Sequence, residues 1–390
     1  MKRIRIQGEK QFSGSPGQFL LGKAEVLCPR LLESYASQVR LIYLDPPFGT
    51  GDTFSMRIGK QKINVPAYTD TLSEADYRSM MQTVLRACYE LLSPDGSLYL
   101  HVDYRKSAML RIMLDDIFGE ENFVNEIIWA YRSGGRSTRY YPRKHDNILF
   151  YRKSSKQYFN IQAVGSKRGA QRRNHLKRSV SEDGRIAYSI RSAGKTYTYY
   201  EDDLVSPSDV WDDIEHLHQR DPERTGYATQ KPEALLKRIL SASSEPGDLV
   251  MDLFSGSGTT AATAAQLNRT WVAADASPLA LSTLRRRIVG KEQNASMLNP
   301  THSMSLIYNL NNLESPGANI EANGESYIIT PSDNNELDYI ALGYADEGIF
   351  LPQSFMFSPR NDAFLKIQKK GSPVLQAVDL YGRQGFWALD

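Results

Sequence analysis

The stretch PGDLVMDLFSGSGTTAATAAQLNRTWVAADAS, residues 246–277, constrains the fold more than any other. A short apolar run ends in Asp252 and enters a turn carrying Gly256 and Gly258. A run of small residues of helical length follows, then a second apolar run, TWVAAD, ending in Asp275. Two strands joined by a helix lie parallel, because the crossover brings the chain back to start the second strand in the same direction. A chain built around such a unit is an α/β protein.

The same alternation recurs upstream. VRLIYLD (39–45) reads as a buried strand, and GTGDTFSMRIGKQKINVPAYTD after it as a polar, mobile loop. SEADYRSMMQTVLRACYELL opens with Ser73 and has Asp76 three residues on, the signature of a capped helix start. SPDG (93–96) reads as a turn and SLYLHVD (97–103) as a strand. A helix over YRKSAMLRIMLDDIFG stops at Gly119, and NEIIWAYR and DNILFYRK are further strands. PEALLKRILSASS (232–244) is a helix, SMSLIYNL (303–310) a last strand, and NNLESPGANIEANGES (311–326) a linker. YIIT, DYIALGY, GIFL, AFLKIQ and VLQAVDLY suggest a small β-rich C-terminal unit. The expected division is 1–151, an inserted region 152–205, 206–313, and a C-terminal unit 314–390.

Composition excludes some classes. With 41% hydrophobic and 24% charged residues, the chain has the make-up of an ordinary globular protein. No apolar run is long enough to span a membrane. The basic start MKRIRIQGEKQF lacks the apolar core of a signal peptide, and a cytoplasmic location is expected. Cys28 and Cys88 form no disulfide framework or metal spacing, and Cys88 reads as core. His216 and His218 read as solvated loop residues, and no metal site is expected. The net charge is only +2, so a nucleic-acid site requires a local patch.

Such a patch exists. SKRGAQRRNHLKR (166–178) holds six Lys or Arg and no acid, and tyrosine-rich β-like pieces follow it. Basic residues interleaved with rings suit a phosphate-tracking surface, and Arg168, Arg172, Arg173, Lys177 and Arg178 are the candidate phosphate contacts.

Two motifs carry chemistry. In DLFSGSGTT the glycines permit a sharp turn and close approach of backbone N–H groups to a ligand at a helix start. Asp275 follows Asp252 at close to the spacing of about 20 residues at which an acid bonds a ribose. No lysine follows the glycines, as a phosphate-binding P-loop requires, and the third glycine of GxGxxG is absent. S-adenosylmethionine is therefore favoured over NAD. In LIYLDPPFGTG, residues 41–51, an acid ends a parallel strand and points into the crevice where such sheets bind ligands. Pro46 and Pro47 offer carbonyl acceptors without N–H groups, and Phe48 offers a flat face. Asp45 and a proline carbonyl can take both hydrogens of an NH2 group on a planar heterocycle stacked on Phe48.

DPPF, then a basic insert, then TQKPEALLKRIL and DLFSGSGTT together resemble the amino-methyltransferases of DNA in the permuted beta-class order, over about residues 20–290. The tract SDVWDDIEHLHQRDPERTGYATQKPE is similar to an adenine-specific bacterial subgroup. The resemblance implies a Rossmann-like S-adenosylmethionine-dependent methyltransferase fold with a mostly parallel sheet, an inserted target-recognition region and a small β appendage. It implies Asp45, Pro46, Pro47 and Phe48 as the catalytic block. Asp45, Lys231, Asp252, Phe254, Gly256, Gly258, Thr259 and Asp275 would bind the cofactor, with Pro232 in the same block as Lys231. Asp in the first position of DPPF points to adenine N6. The implied partners are double-stranded DNA with the target base flipped out, a cognate restriction endonuclease and a homodimer. The family often carries Gly-Asp where this chain has Gly22-Lys23, and Glu25 is the candidate substitute. Cytosine-N4 or RNA amine methylation, and a non-catalytic DNA-binding subunit, stand as alternatives.

Overall fold

The computed structural model describes residues 2–3, 8–11, 17–48, 53–58, 63–69, 72–132, 137–167, 176–218, 220–227, 229–289, 304–308, 318–323, 326–331, 337–347, 349–357, 363–367, 372–379 and 383–389. Five parallel strands form the centre of its main sheet, in the order Gly17–Leu21, Thr270–Asp275, Leu249–Asp252, Val39–Leu44 and Leu92–Val102. His145–Arg152 adds antiparallel to Leu92–Val102. Phe123–Ala130 pairs antiparallel with it in turn and is joined by the short parallel strand Val210–Trp211.

Alternation along each strand builds two separate cores. Leu41 and Tyr43 face one side with Tyr99, Val250, Trp271 and Ala273. There they pack against Glu233–Ser243, Thr259–Gln266 and Pro278–Val289. Ile42 and Leu44 face the other side with Leu98, Leu100, Met251 and Val272, against Ala24–Tyr35, Glu74–Leu91 and Ser107–Phe118. The helix after Leu249–Asp252 thus covers one face, and the helix after Val39–Leu44 the other. The order of connection reverses between these two neighbouring strands, which opens a crevice at their carboxyl ends, where ligands bind in open α/β sheets. The fold is Rossmann-like.

Local chemistry sets the boundaries. Ser73 Oγ accepts the Asp76 N–H at 3.1 Å and caps Glu74–Leu91. Gly119, at φ 87°, ends Ser107–Phe118. Cys28 and Cys88 are both buried.

Several expectations need correction. The polar loop after Gly49 contains an antiparallel ribbon, Thr53–Ile58 with Ile63–Thr69. Phe54, Met56 and Ile58, then Ile63 and Val65, alternate with polar residues, a period-two signal that the glycines and polar composition concealed. SPDG is not a free turn but a bulge inside Leu92–Val102. Leu92 pairs with Val39 and Ser97 with Leu41, so four residues stand opposite Arg40. The linker stretch holds the strand Ala318–Asn323, which pairs with Ser326–Pro331. The C-terminal β region has its own apolar cluster around Ile340, Leu342, Leu365 and Leu375. Its strands nevertheless continue the main sheet, because Ile349–Phe357 pairs with Gly8–Gln11, which pairs with Met304–Tyr308 beside Gly17–Leu21.

Candidate active site

The crevice is a cavity of about 330 Å³. Asp45, Pro46, Pro47 and Phe48 line it from the end of Val39–Leu44. Phe254, Gly256 and Thr259 line it from the glycine turn, Asp275 from the next strand, and Tyr227, Thr229 and Lys231 from the segment before Glu233–Ser243. Asp252 also reaches its wall. Residues from three distant parts of the sequence therefore meet at one place.

The glycine turn is fixed by its acids. Asp252 Oδ1 accepts the Phe254 N–H at 3.0 Å, and Oδ2 accepts the Thr260 hydroxyl at 2.6 Å. Burial, aided by the nearby charges of Asp45 and Asp275, pushes the Asp252 carboxyl up to about 7. Asp275 Oδ2 accepts the Gly256 N–H and Oδ1 the Ser277 N–H, both at 2.8 Å. Each oxygen keeps a further lone pair, and burial holds this carboxyl above its usual range. Gly256 and Gly258 have φ of 50° and 74°, and a Cβ on Gly258 would stand 2.5 Å from Leu284 Cδ1. Gly258 is the N-cap of Thr259–Gln266 rather than a wall of the cavity.

Lys231 was expected at the cofactor. The structure places its ammonium on the Asp45–Phe48 block, 2.5 Å from Asp45 Oδ2 and 5.6 Å from the Phe48 ring centroid. The Lys231 carbonyl accepts from Thr259 Oγ1, which ties this residue to the glycine turn as well. Two residues earlier, Thr229 has φ of 59°, a left-handed conformation that β-branched residues rarely adopt. Gln230 locks the segment from below: its Oε1 accepts the Thr225 N–H and its Nε2 donates to the Glu223 carbonyl. Arg287 clamps the other side, donating to Glu233 Oε1 at 2.7 Å and to Thr259 Oγ1 at 3.0 Å.

A buried polar chain runs behind Asp45. The Tyr43 hydroxyl lies 2.8 Å from His101 Nδ1, and His101 Nε2 lies 3.2 Å from Asp146 Oδ2. The Tyr131 hydroxyl donates to Asp146 Oδ1 at 3.3 Å. Burial is the largest single influence and works against the Asp146 charge, but the His101 hydrogen bond and the charges of His101, Lys231 and His216 together outweigh it and hold the carboxyl down to about 2. Burial, then Asp45 and Asp252, keeps the Tyr43 hydroxyl protonated. His216 is not a solvated loop residue. Its ring stacks on Trp129 at 5.1 Å and meets Tyr131 edge-on, because the strand Val210–Trp211 carries it back against the sheet. Burial, then the Lys231 charge, holds the His216 pKa down. His218 is exposed. Tyr43, His101, Asp146, Gln230 and Arg287 escaped the reading of the sequence. Their roles arise from long-range contacts, and no local pattern marks them.

Lys23 and Glu25 both line the cavity, so the acid that the family's Gly-Asp pair would supply has a carboxylate two residues further on. Arg168, Arg172 and Arg173 lie outside the described residues. Lys177 and Arg178 are exposed on Lys177–Val180, the edge of a three-stranded sheet with Ile186–Ser192 and Lys195–Tyr200. Among the described residues no cluster of His, Cys, Asp or Glu could hold a metal ion, and no helix is long and apolar enough to cross a membrane.

Residues 39–286 match the family model described as DNA methylase. The chain is 30% identical over 318 residues to the type II methyltransferase M.EcaI of Enterobacter cloacae, covering 70% of this chain and 69% of the relative. It is 32% identical over 241 residues to the DNA adenine methyltransferase YhdJ of Escherichia coli strain K12, covering 61% and 71%. Among solved structures, the cytosine-N4-specific PvuII DNA methyltransferase aligns with TM-score 0.48 and 16% identity, over 75% of this chain and 93% of that one. With the matched model spanning both the Asp45 block and the glycine turn, the chain belongs to the DNA methylase family.

Proposed function

We propose that this DNA methylase transfers a methyl group from S-adenosylmethionine to the exocyclic N6 amine of an adenine turned out of duplex DNA. One observation carries the reading: Asp45 with Phe48, and the glycine turn with Asp275, line a single cavity. An acceptor for an amine and a cradle for a ribose-bearing cofactor thus share one space.

The cavity fits that cofactor. Ser255 Oγ, on its wall, is buried without a hydrogen-bond partner, and the Asp275 oxygens retain acceptor capacity toward a ribose diol. Phe254 and Phe48 supply ring faces. S-adenosylmethionine supplies an electrophilic methyl group on a sulfonium. Asp45 and the Pro46 carbonyl accept the two N–H hydrogens of the target amine, which draws the nitrogen lone pair out of the ring. Phe48 stacks on the base. The Asp45 carboxylate also faces the positive charge that grows on nitrogen, an interaction strongest in the transition state. Lys231 holds one Asp45 oxygen in place, so the other keeps a fixed direction toward the amine.

Adenine rather than cytosine is supported by Asp in the first position of DPPF and by the likeness to a relative named as a DNA adenine methyltransferase. The proposal extends to a cytoplasmic location, a cognate restriction endonuclease and a homodimer. Co-purification and sedimentation read the last two. The base is tested by incubating the protein with unmethylated duplex DNA and S-adenosylmethionine, then digesting to nucleosides for mass spectrometry. N6-methyladenine is the expected product. N4-methylcytosine would overturn the assignment of the base, and a failure to bind S-adenosylmethionine in calorimetry would overturn the catalytic reading itself.

A further inference from the structure

The stretch from Arg132 to His145 contains Arg132, Arg136, Arg139, Arg143 and Lys144 and no acid. It joins Phe123–Ala130 to His145–Arg152. His145–Arg152 runs antiparallel to Leu92–Val102, with Asn147 opposite Val102. Its two ends, after Ala130 and before His145, therefore lie at the carboxyl ends of the parallel strands, the edge that also carries Asp45.

Its described part, residues 137–144, has an unusual surface. Tyr141 is 95% exposed and Tyr140 61%, and Arg139 and Arg143 are exposed beside them. Arg143 lies between two rings, 4.4 Å from the Tyr104 centroid and 5.1 Å from that of Tyr140. Tyr104, itself 46% exposed, follows the strand that bears His101. Arg143 stays exposed beside these rings, and a guanidinium held against aromatic rings keeps donors for phosphate. Pro142 biases the Tyr141 backbone toward an extended conformation.

The base of this segment is fixed. The Tyr131 N–H donates to the Lys144 carbonyl at 2.9 Å, and Lys144 Nζ donates to the Arg132 carbonyl at 2.8 Å. Ser137 Oγ accepts the N–H groups of Arg139 and Tyr140 at 3.3 and 3.2 Å. Tyr131 also bonds Asp146, so the segment is anchored on the polar chain that ends at Tyr43. A tethered, basic, ring-bearing segment at the same end of the sheet as the cavity matches the two needs of an extrahelical nucleotide: neutralised flanking phosphates and a ring against the disrupted stack.

We propose that Arg139 and Arg143 grip the DNA phosphates flanking the target base, and that Tyr141 stacks in the duplex beside the place the base leaves. This rests on the DNA methylase reading above and adds a DNA contact distinct from the basic insert at 166–178.

The test uses the full chain, unmethylated plasmid DNA and labelled S-adenosylmethionine. It compares wild type with Arg139→Gln/Arg143→Gln, Tyr141→Ala and Tyr141→Phe. Neutralising both arginines should flatten the log–log salt slope of DNA binding by about 2, and KM for DNA should rise at least about tenfold near physiological salt. Tyr141→Ala should lower kcat at least about tenfold, with Tyr141→Phe within about threefold of wild type, the scale of removing one stacked ring. S-adenosylmethionine affinity should be unchanged in all three. An unaltered salt slope in the double variant overturns the phosphate grip, and a wild-type kcat in Tyr141→Ala overturns the stacking role. Both results would leave the methylase reading standing if wild type still methylates the plasmid. If wild type transfers no methyl group yet binds DNA, the salt slope alone decides the grip. If it neither methylates nor binds, both ideas fall.

Discussion

Lys231 Nζ lies 2.5 Å from Asp45 Oδ2, so the acid that follows Val39–Leu44 is held by a residue 186 positions later in the chain. Asp45, Asp252 and Asp275 share one cavity, and Lys231 is the cation placed on Asp45. Replacing it by Met keeps the length of the side chain and removes the charge and the tether. Lys231→Met should lower kcat by about 10²-fold, the scale of a misplaced catalytic group, with KM for S-adenosylmethionine changed far less. Steady-state kinetics on duplex DNA, with circular dichroism as a check on folding, measure this. Loss confined to the KM for S-adenosylmethionine would instead make Lys231 a cofactor ligand.

Thr229 precedes this pair in a left-handed conformation, φ 59°, and strain of this kind costs roughly 1–3 kcal/mol. Glycine adopts the same backbone without it. Thr229→Gly should therefore raise unfolding free energy by about 1 kcal/mol while lowering kcat, because the segment that presents Lys231 gains freedom. Urea melts read the first effect and turnover the second. A destabilised variant would show that the threonine side chain, and not the strained backbone, matters at this position.

Asp252 gives stability a pH dependence of definite sign. Its carboxyl titrates near 4 unfolded and at about 7 folded, so between these values the folded state binds more protons. Its contribution is fully present below about pH 4 and is lost as pH rises toward 7. Asp252→Asn keeps an acceptor for Thr260 or Phe254 but does not ionise, and should flatten that part of the stability profile. Asp146 has the opposite sign: held down to about 2, it stabilises above about pH 4 and fades as pH falls. Urea midpoints from pH 4 to 8 measure the difference between wild type and Asp252→Asn. Parallel profiles would contradict it.

The Tyr43 hydroxyl is the end of the buried chain to His101 and Asp146. Tyr43→Phe leaves His101 Nδ1 without that partner in a buried site. It should cost about 1–3 kcal/mol, the usual range for an unsatisfied buried polar group. Chemical denaturation checks this. A variant as stable as wild type would show that His101 re-pairs on its own.

The fold was legible where local pattern and tertiary role coincide. Ser73 caps a helix in the sequence and in the structure, and the strands ending at Asp45 and Asp252 show as apolar runs closed by an acid. The ribbon after Gly49 was lost because its apolar alternation is interleaved with polar residues and bounded by glycines. At the site, residues that belong to compact motifs were readable, and those that act across the sheet were not. His216 looked like a loop residue because nothing near it reveals the Trp129 ring on which it stacks. The segment RYYPRK was readable by the same rule that singled out the basic insert. Its place at the sheet end that carries Asp45 depends on the antiparallel return of His145–Arg152, which no local pattern reveals.

Asp45 is proposed to act on the amine from a preformed cofactor cavity. Methyl transfer to duplex DNA by Asp45→Ala, measured beside its S-adenosylmethionine affinity, tests this most directly. The expected variant is a folded protein that still binds S-adenosylmethionine and forms no detectable N6-methyladenine. Turnover near the wild-type rate would contradict it.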